Sequence, residues 1–107
     1  MKIFIIGSIT QVPVMEKVKE ALGIVKTTNG QPYYEVEHVK HQPDQPLETL
    51  IRQAYLSIAQ TDQVMVIMKP DGSIGEGTMY EIEYAKLLDK AVTYIQPHDQ
   101  QLLMEAD

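Results

Sequence analysis

Two nearly unbroken apolar runs, Ile3 to Ile6 and Val64 to Met68, set the pattern of this chain. Runs of this length, rich in β-branched residues and without polar alternation, predict strands covered on both faces, here Lys2 to Ile6 and Gln63 to Met68. Between them the period changes. Pro13 suits a first helical turn, Val14, Val18, Ala21 and Leu22 share one helical stripe, and Gly23 ends it. Leu47, Leu50, Ile51, Ala54 and Ile58 repeat at helical spacing to about Gln60. Tyr34 to Val39 alternates imperfectly and carries Glu35 and Glu37, the pattern of an edge strand. Thr78 to Asp89 reads as a third helix and Ala91 to Ile95 as a fourth strand. The tail from Gln96 to Asp107 is polar apart from Leu102-Leu103-Met104, which fits a short helix. Thr27 to Pro32 and His41 to Pro46 are turn-rich connections.

Strands alternating with helices predict a parallel sheet with helices on both faces and right-handed crossovers. The expected class is α/β: a flavodoxin-like three-layer α/β/α fold with a four- to five-stranded parallel sheet, residues 1–107 forming one domain. In the order 2-1-3-4 the topological switch lies between the first and third strands. The loops leaving those strands, Gly7-Ser8-Ile9-Thr10 and Lys69 to Gly77, then converge on one crevice.

Composition narrows the partners. The formal net charge of −6 and a single arginine, Arg52, argue against a phosphate-backbone surface, so no nucleic-acid partner is expected. Without cysteine there is no disulfide, thiolate chemistry or Cys-based metal site. The apolar run at Ile3 to Ile6 is too short for a signal-peptide core, and no segment has the length of a membrane span. The expectation is a cytoplasmic protein with no membrane partner.

The chemistry concentrates in Ser73-Ile74-Gly75-Glu76-Gly77-Thr78-Met79-Tyr80-Glu81, directly after an apolar strand and at a helix start. Gly72 and Gly77 have phosphate-loop spacing, but Thr78 stands where lysine is required and Glu76 brings the wrong charge. The dinucleotide fingerprint fails at Tyr80. Glu81 has two readings. With Thr78 as N-cap it completes a capping box; alternatively it is a carboxylate nucleophile or base at the crevice, kept ionised by the helix N-terminus. Asp71 and Glu76 offer a second carboxyl group, as glycosidic cleavage commonly uses, or are solvated loop charges. Asp62 precedes its strand, at the opposite end of the sheet, and reads as structural. His38 and His41 beside Glu37 lack a third clear ligand, so no metal is expected. Met65, Met68 and Met79 read as core filler, and Tyr33, Tyr34, Tyr80 and Tyr84 as tyrosines at element edges that could also stack on a base.

These residues resemble the nucleoside 2-deoxyribosyltransferase superfamily, including its 2′-deoxynucleoside 5′-monophosphate N-glycosidase branch. Three segments carry the resemblance: Ile3 to Ile9, Glu37-His38-Val39, and Asp62 to Ile95 with Gly77-Thr78-Met79-Tyr80-Glu81-Ile82, Tyr84-Ala85 and Lys90. It implies that Glu81 attacks the anomeric carbon of a nucleoside or nucleotide and forms a glycosyl-enzyme intermediate. It further implies that Asp71 assists, that Gly7, Ser8, Ile9, Gly75, Glu76, Gly77 and Thr78 line the substrate pocket, and that no cofactor is needed. The alternative is a nucleoside- or nucleotide-binding module of the same fold without catalysis. The family's habit implies a homodimer, with Pro97 to Asp107 available to complete a neighbouring site. Three positions depart from the family pattern. Glu83 replaces a small residue, Thr10-Gln11-Val12-Pro13 stands where the monophosphate branch is basic, and Ala54-Tyr55 replaces an acidic or amide position.

Overall fold

The computed structural model describes residues 1–38 and 44–105. Four strands, β1 (Lys2–Gly7), β2 (Glu35–His38), β3 (Gln63–Ile67) and β4 (Ala91–Ile95), form one sheet in the order β2-β1-β3-β4. All three pairings are parallel. The helices are α1 (Val12–Gly23), α2 (Leu47–Gln60), α3 (Glu76–Leu87) and α4 (Pro97–Glu105). The α/β class and flavodoxin-like strand order expected from the sequence are those observed. Val39 and His41 lie outside the described residues.

Strand pleating sorts the core into two layers. Phe4, Ile6, Val64 and Val66 pack against Ala54, Ile58, Ile82 and Ala85 of α2 and α3. Ile3, Ile5 and Ile67 face the other way, onto Val14, Met15 and Val18 of α1, with Leu103 of α4 against the same cluster. Ile5, Ile6, Val64 and Val66 are fully excluded from water, which is why β1 and β3 read as continuous apolar runs. The stripe on α1 differs from expectation. Ala21 is exposed, and Met15, fully buried, takes its place beneath the sheet. Its unbranched side chain reaches Gly7.

The ends of the elements are fixed by specific contacts. Asp62 Oδ2 accepts from the Lys2 N–H at 2.8 Å and so ties the start of β1 to the start of β3, a structural role as expected. Gln100, buried on α4, donates through Nε2 to the carbonyls of Met68 (2.6 Å) and Ile95 (2.9 Å), stitching that helix to the ends of β3 and β4. At the end of α3, Asp89 adopts a left-handed φ of 58°, and Lys90 and Asp89 donate back to the carbonyls of Ala85 and Lys86. This is a Schellman closure in which a short polar residue replaces glycine. Met79 is exposed, contrary to the core role its type suggested, because it lies on the solvent side of α3. Among the described residues no helix is long and apolar enough to cross a membrane.

Candidate functional site

The crevice sits where a parallel sheet of this order places it, at the carboxyl ends of β1 and β3. Gly7 ends β1 against the neighbouring strand. A Cβ there would lie 2.9 Å from the Ile67 carbonyl oxygen and 3.0 Å from Met15 Cε, so this approach needs glycine. Ser8 then caps a single 3₁₀ turn, Ile9–Gln11, its Oγ accepting from the Thr10 N–H at 3.3 Å and sharing a 2.9 Å hydrogen bond with Thr10 Oγ1. That turn leads directly into α1.

On the other side, the chain leaving β3 is held by a tight turn. The Gly72 N–H donates to the Lys69 carbonyl at 2.8 Å, and the Lys69 N–H to the Ser73 carbonyl at 2.9 Å. Gly72 adopts a φ of 83°, a conformation open to glycine. Asp71 Oδ1 accepts from both the Ser73 N–H (2.9 Å) and its hydroxyl (2.6 Å). The two Ser73 donors, with Lys69 nearby, hold this solvent-facing carboxyl below its usual range. Asp71 is thus the brace of a surface turn.

Helix α3 begins two residues earlier than the sequence pattern predicts. Its N-cap is Gly75, in extended conformation, and no side chain caps it. Thr78 therefore lies inside the first turn, buried, and not at the cap. The capping box with Glu81 does not form. Glu81 falls in the second turn, where burial outweighs the helix terminus and pushes its carboxyl up to about 7. The expectation of a carboxylate kept ionised by the helix start is overturned for that reason. Its Oε2 is buried without a hydrogen-bond partner. An orphaned carboxyl oxygen of this kind is costly and is characteristic of sites that meet a ligand.

Between these loops lies a cleft of about 680 Å³. Gly7, Ser8 and Ile9 form one wall, and Gly75, Glu76, Gly77, Thr78 and Glu81 form another. The structure thus brings together every candidate residue except Asp71, which is not on the cleft wall. Helix α2 closes the cleft with Leu50, Ile51, Ala54 and Tyr55, giving a largely apolar lining. Tyr55 stacks on Tyr84 with ring centroids 4.4 Å apart. Tyr80 adds an exposed ring at the rim.

Lys69 lines the cleft, at the start of the loop that the sequence placed there; Glu37 and Tyr55, which sequence reasoning did not assign to the site, line it too. The rule that ligands meet the carboxyl ends of strands, which brought in Lys69, could have found Glu37 as well, since it is near the end of β2. Lys69 extends beside Gly75, its Nζ 3.8 Å from where a Cβ would stand. Tyr55 carried no signal, because its position depends on how α2 lies across the sheet. His38 also lines the cleft. Among the described residues no group of three His, Cys, Asp or Glu side chains is placed to hold a metal ion. Comparison with protein-family models, curated proteins and solved structures finds no match to this chain.

Proposed function

We propose that the protein cleaves or transfers at the N-glycosidic bond of a nucleoside or nucleotide, with Glu81 as nucleophile. The observation that carries this reading is Glu81 itself: a buried carboxyl, unpartnered at Oε2, on the wall of an apolar cleft between two glycine-bearing loops. Its carboxylate attacks the anomeric carbon, the bond from that carbon to the base nitrogen breaks, and the base leaves with the electron pair. The base takes a proton from a carboxyl group of the cleft, and here Glu76 and Glu37 replace Asp71 in that role. Water or a second base then displaces Glu81 from the sugar. The apolar floor and the tyrosines suit a flat heterocycle. Three carboxyl groups against Lys69 favour a substrate without a phosphate over one that carries it.

The test is a panel of deoxynucleosides and their monophosphates, assayed chromatographically for base release and base exchange. Turnover abolished by Glu81→Ala, with a glycosyl adduct on the wild-type chain by mass spectrometry, is the expected result. Wild type and variant equally inert on every substrate would sink the enzymatic reading.

A second reading, binding without catalysis, draws on the displacement of Asp71 to a surface turn. It predicts a ligand-dependent rise in melting temperature with no turnover.

A further inference from the structure

The two edges of the sheet are chemically unlike. Edge strand β2 carries Glu35 and Glu37, with Lys2 of β1 4.0 Å from the Glu35 carboxylate. Charges of this kind blunt an edge against pairing with another chain. Edge strand β4 reads Ala91-Val92-Thr93-Tyr94-Ile95, with neither charge nor proline, and three of its five residues are β-branched. Among the described residues it pairs with β3 alone. Tyr94 is 39% exposed, and Val92 and Ile95 are only partly covered by the helices on their respective faces.

Antiparallel pairing of this strand with itself, centred on Thr93, sets Val92 opposite Tyr94, Ala91 opposite Ile95, and Thr93 opposite its own copy. Each is a pair type that stabilises antiparallel sheets: β-branched with aromatic, apolar with apolar, and threonine with threonine. The pleat agrees, because Val92 packs with the α2–α3 core and Ile95 with the α1 core. Residues two apart therefore meet like-facing residues of the copy. One step outward, Lys90 faces Gln96, so no like charges oppose each other. The same operation on β2, centred on Val36, sets Glu35 against Glu37. Antiparallel pairing also brings the start of one β4 beside the end of the other. Leu87 and Leu88, exposed at the end of α3 that leads into β4, then lie near the Tyr94 end of the copy.

We infer that the free edge of β4 is a homodimerisation surface, pairing antiparallel with β4 of a second copy about a two-fold axis at Thr93. It joins two four-stranded sheets into one continuous sheet. The inference is independent of what the cleft binds.

The chain has no cysteine, so a single introduced thiol reports the contact. In Thr93→Cys the two-fold places the thiols on directly opposed residues, within disulfide reach. Mild oxidation is expected to give an interchain disulfide, while Glu35→Cys on the other edge gives at most a small fraction of it. In sedimentation experiments the wild-type chain is expected to dimerise, and Thr93→Lys to weaken association by at least about tenfold by opposing two ammonium groups. Thr93 is solvent-exposed, and circular dichroism of each variant checks that it folds. A wild-type chain monomeric at every concentration would overturn the inference. So would a dimer indifferent to Thr93→Lys, or cross-linking as efficient at position 35 as at 93.

Discussion

Replacing Glu81 by glutamine separates the burial of its charge from everything else this residue does. Burial raises the carboxyl from 4.5 to about 7, and each unit is about 1.4 kcal/mol of difference between the two protonation states. The native state therefore holds the proton more tightly than the unfolded chain. The contribution is fully present below pH 4.5 and is lost as pH rises to about 7, beyond which it is constant. The full shift corresponds to about 3 kcal/mol, and because Glu81 is mostly rather than wholly buried, roughly 2 kcal/mol is the expected loss. Glu81→Gln carries no titrating proton, so its stability lacks this decline. Urea melts of both proteins from pH 4.5 to 8 measure the effect. The cost of placing an amide in the pocket is the same at every pH and cancels in the difference between profiles, as do all shared groups. Relative to wild type, the variant should gain roughly 2 kcal/mol across that range, or on the order of 10 °C in melting temperature. Parallel profiles would refute the assignment of a desolvated carboxyl. The same titration governs chemistry. A nucleophilic Glu81 must be ionised, so turnover should rise as pH rises through about 7.

Other perturbations probe the frame around the cleft. Gly7→Ala forces a Cβ against the Ile67 carbonyl and Met15, and should cost about 1–3 kcal/mol in urea denaturation. Gln100→Leu removes the donor to the Met68 carbonyl, while the Ile95 carbonyl keeps the Met68 N–H, and should cost about 1–3 kcal/mol. Asp71→Asn should leave ligand binding and turnover unchanged, because the amide oxygen still accepts from both Ser73 donors and keeps the turn that leads into α3. In a carbon-13 titration of wild type, Asp71 should remain ionised below its ordinary value of 3.8, and its bracing effect should fade only as pH falls through the lowered midpoint.

The sheet was legible because its two central strands are covered on both faces, which leaves no room for polar residues in Ile3 to Ile6 or at Val64, Val66 and Ile67. Connection lengths then allow few topologies, and the switch-point rule brings Gly7 to Gly75 without any further information. Details set by tertiary contacts were not legible. Met15 replaces Ala21 in the core because it fills space beneath Gly7, and no periodicity records that space. The 3₁₀ turn at Ile9–Gln11 depends on Ser8 capping it and on burial of Gln11 against the body of the protein. The place of Tyr55 on the cleft wall follows from the packing of α2 in the same way.

The start of α3 is where local preference and global structure part most consequentially. Thr78 with Glu81 three residues on is a strong local signal for a helix start. The hydrogen-bonded turn from Lys69 to Ser73 instead delivers the chain to Gly75 in extended form, and the helix begins at Glu76. Moving the cap from Thr78 to Gly75 puts Thr78 into the interior and carries Glu81 a turn further from the positive helix end. A carboxyl at the third helical position would be solvated, capped and acidic. At the sixth it is desolvated, without a partner at Oε2 and half-protonated near neutral pH. Restoring the local preference would therefore remove what the proposed chemistry requires: the turn at Asp71 overrides the cap and leaves Glu81 buried on the cleft wall.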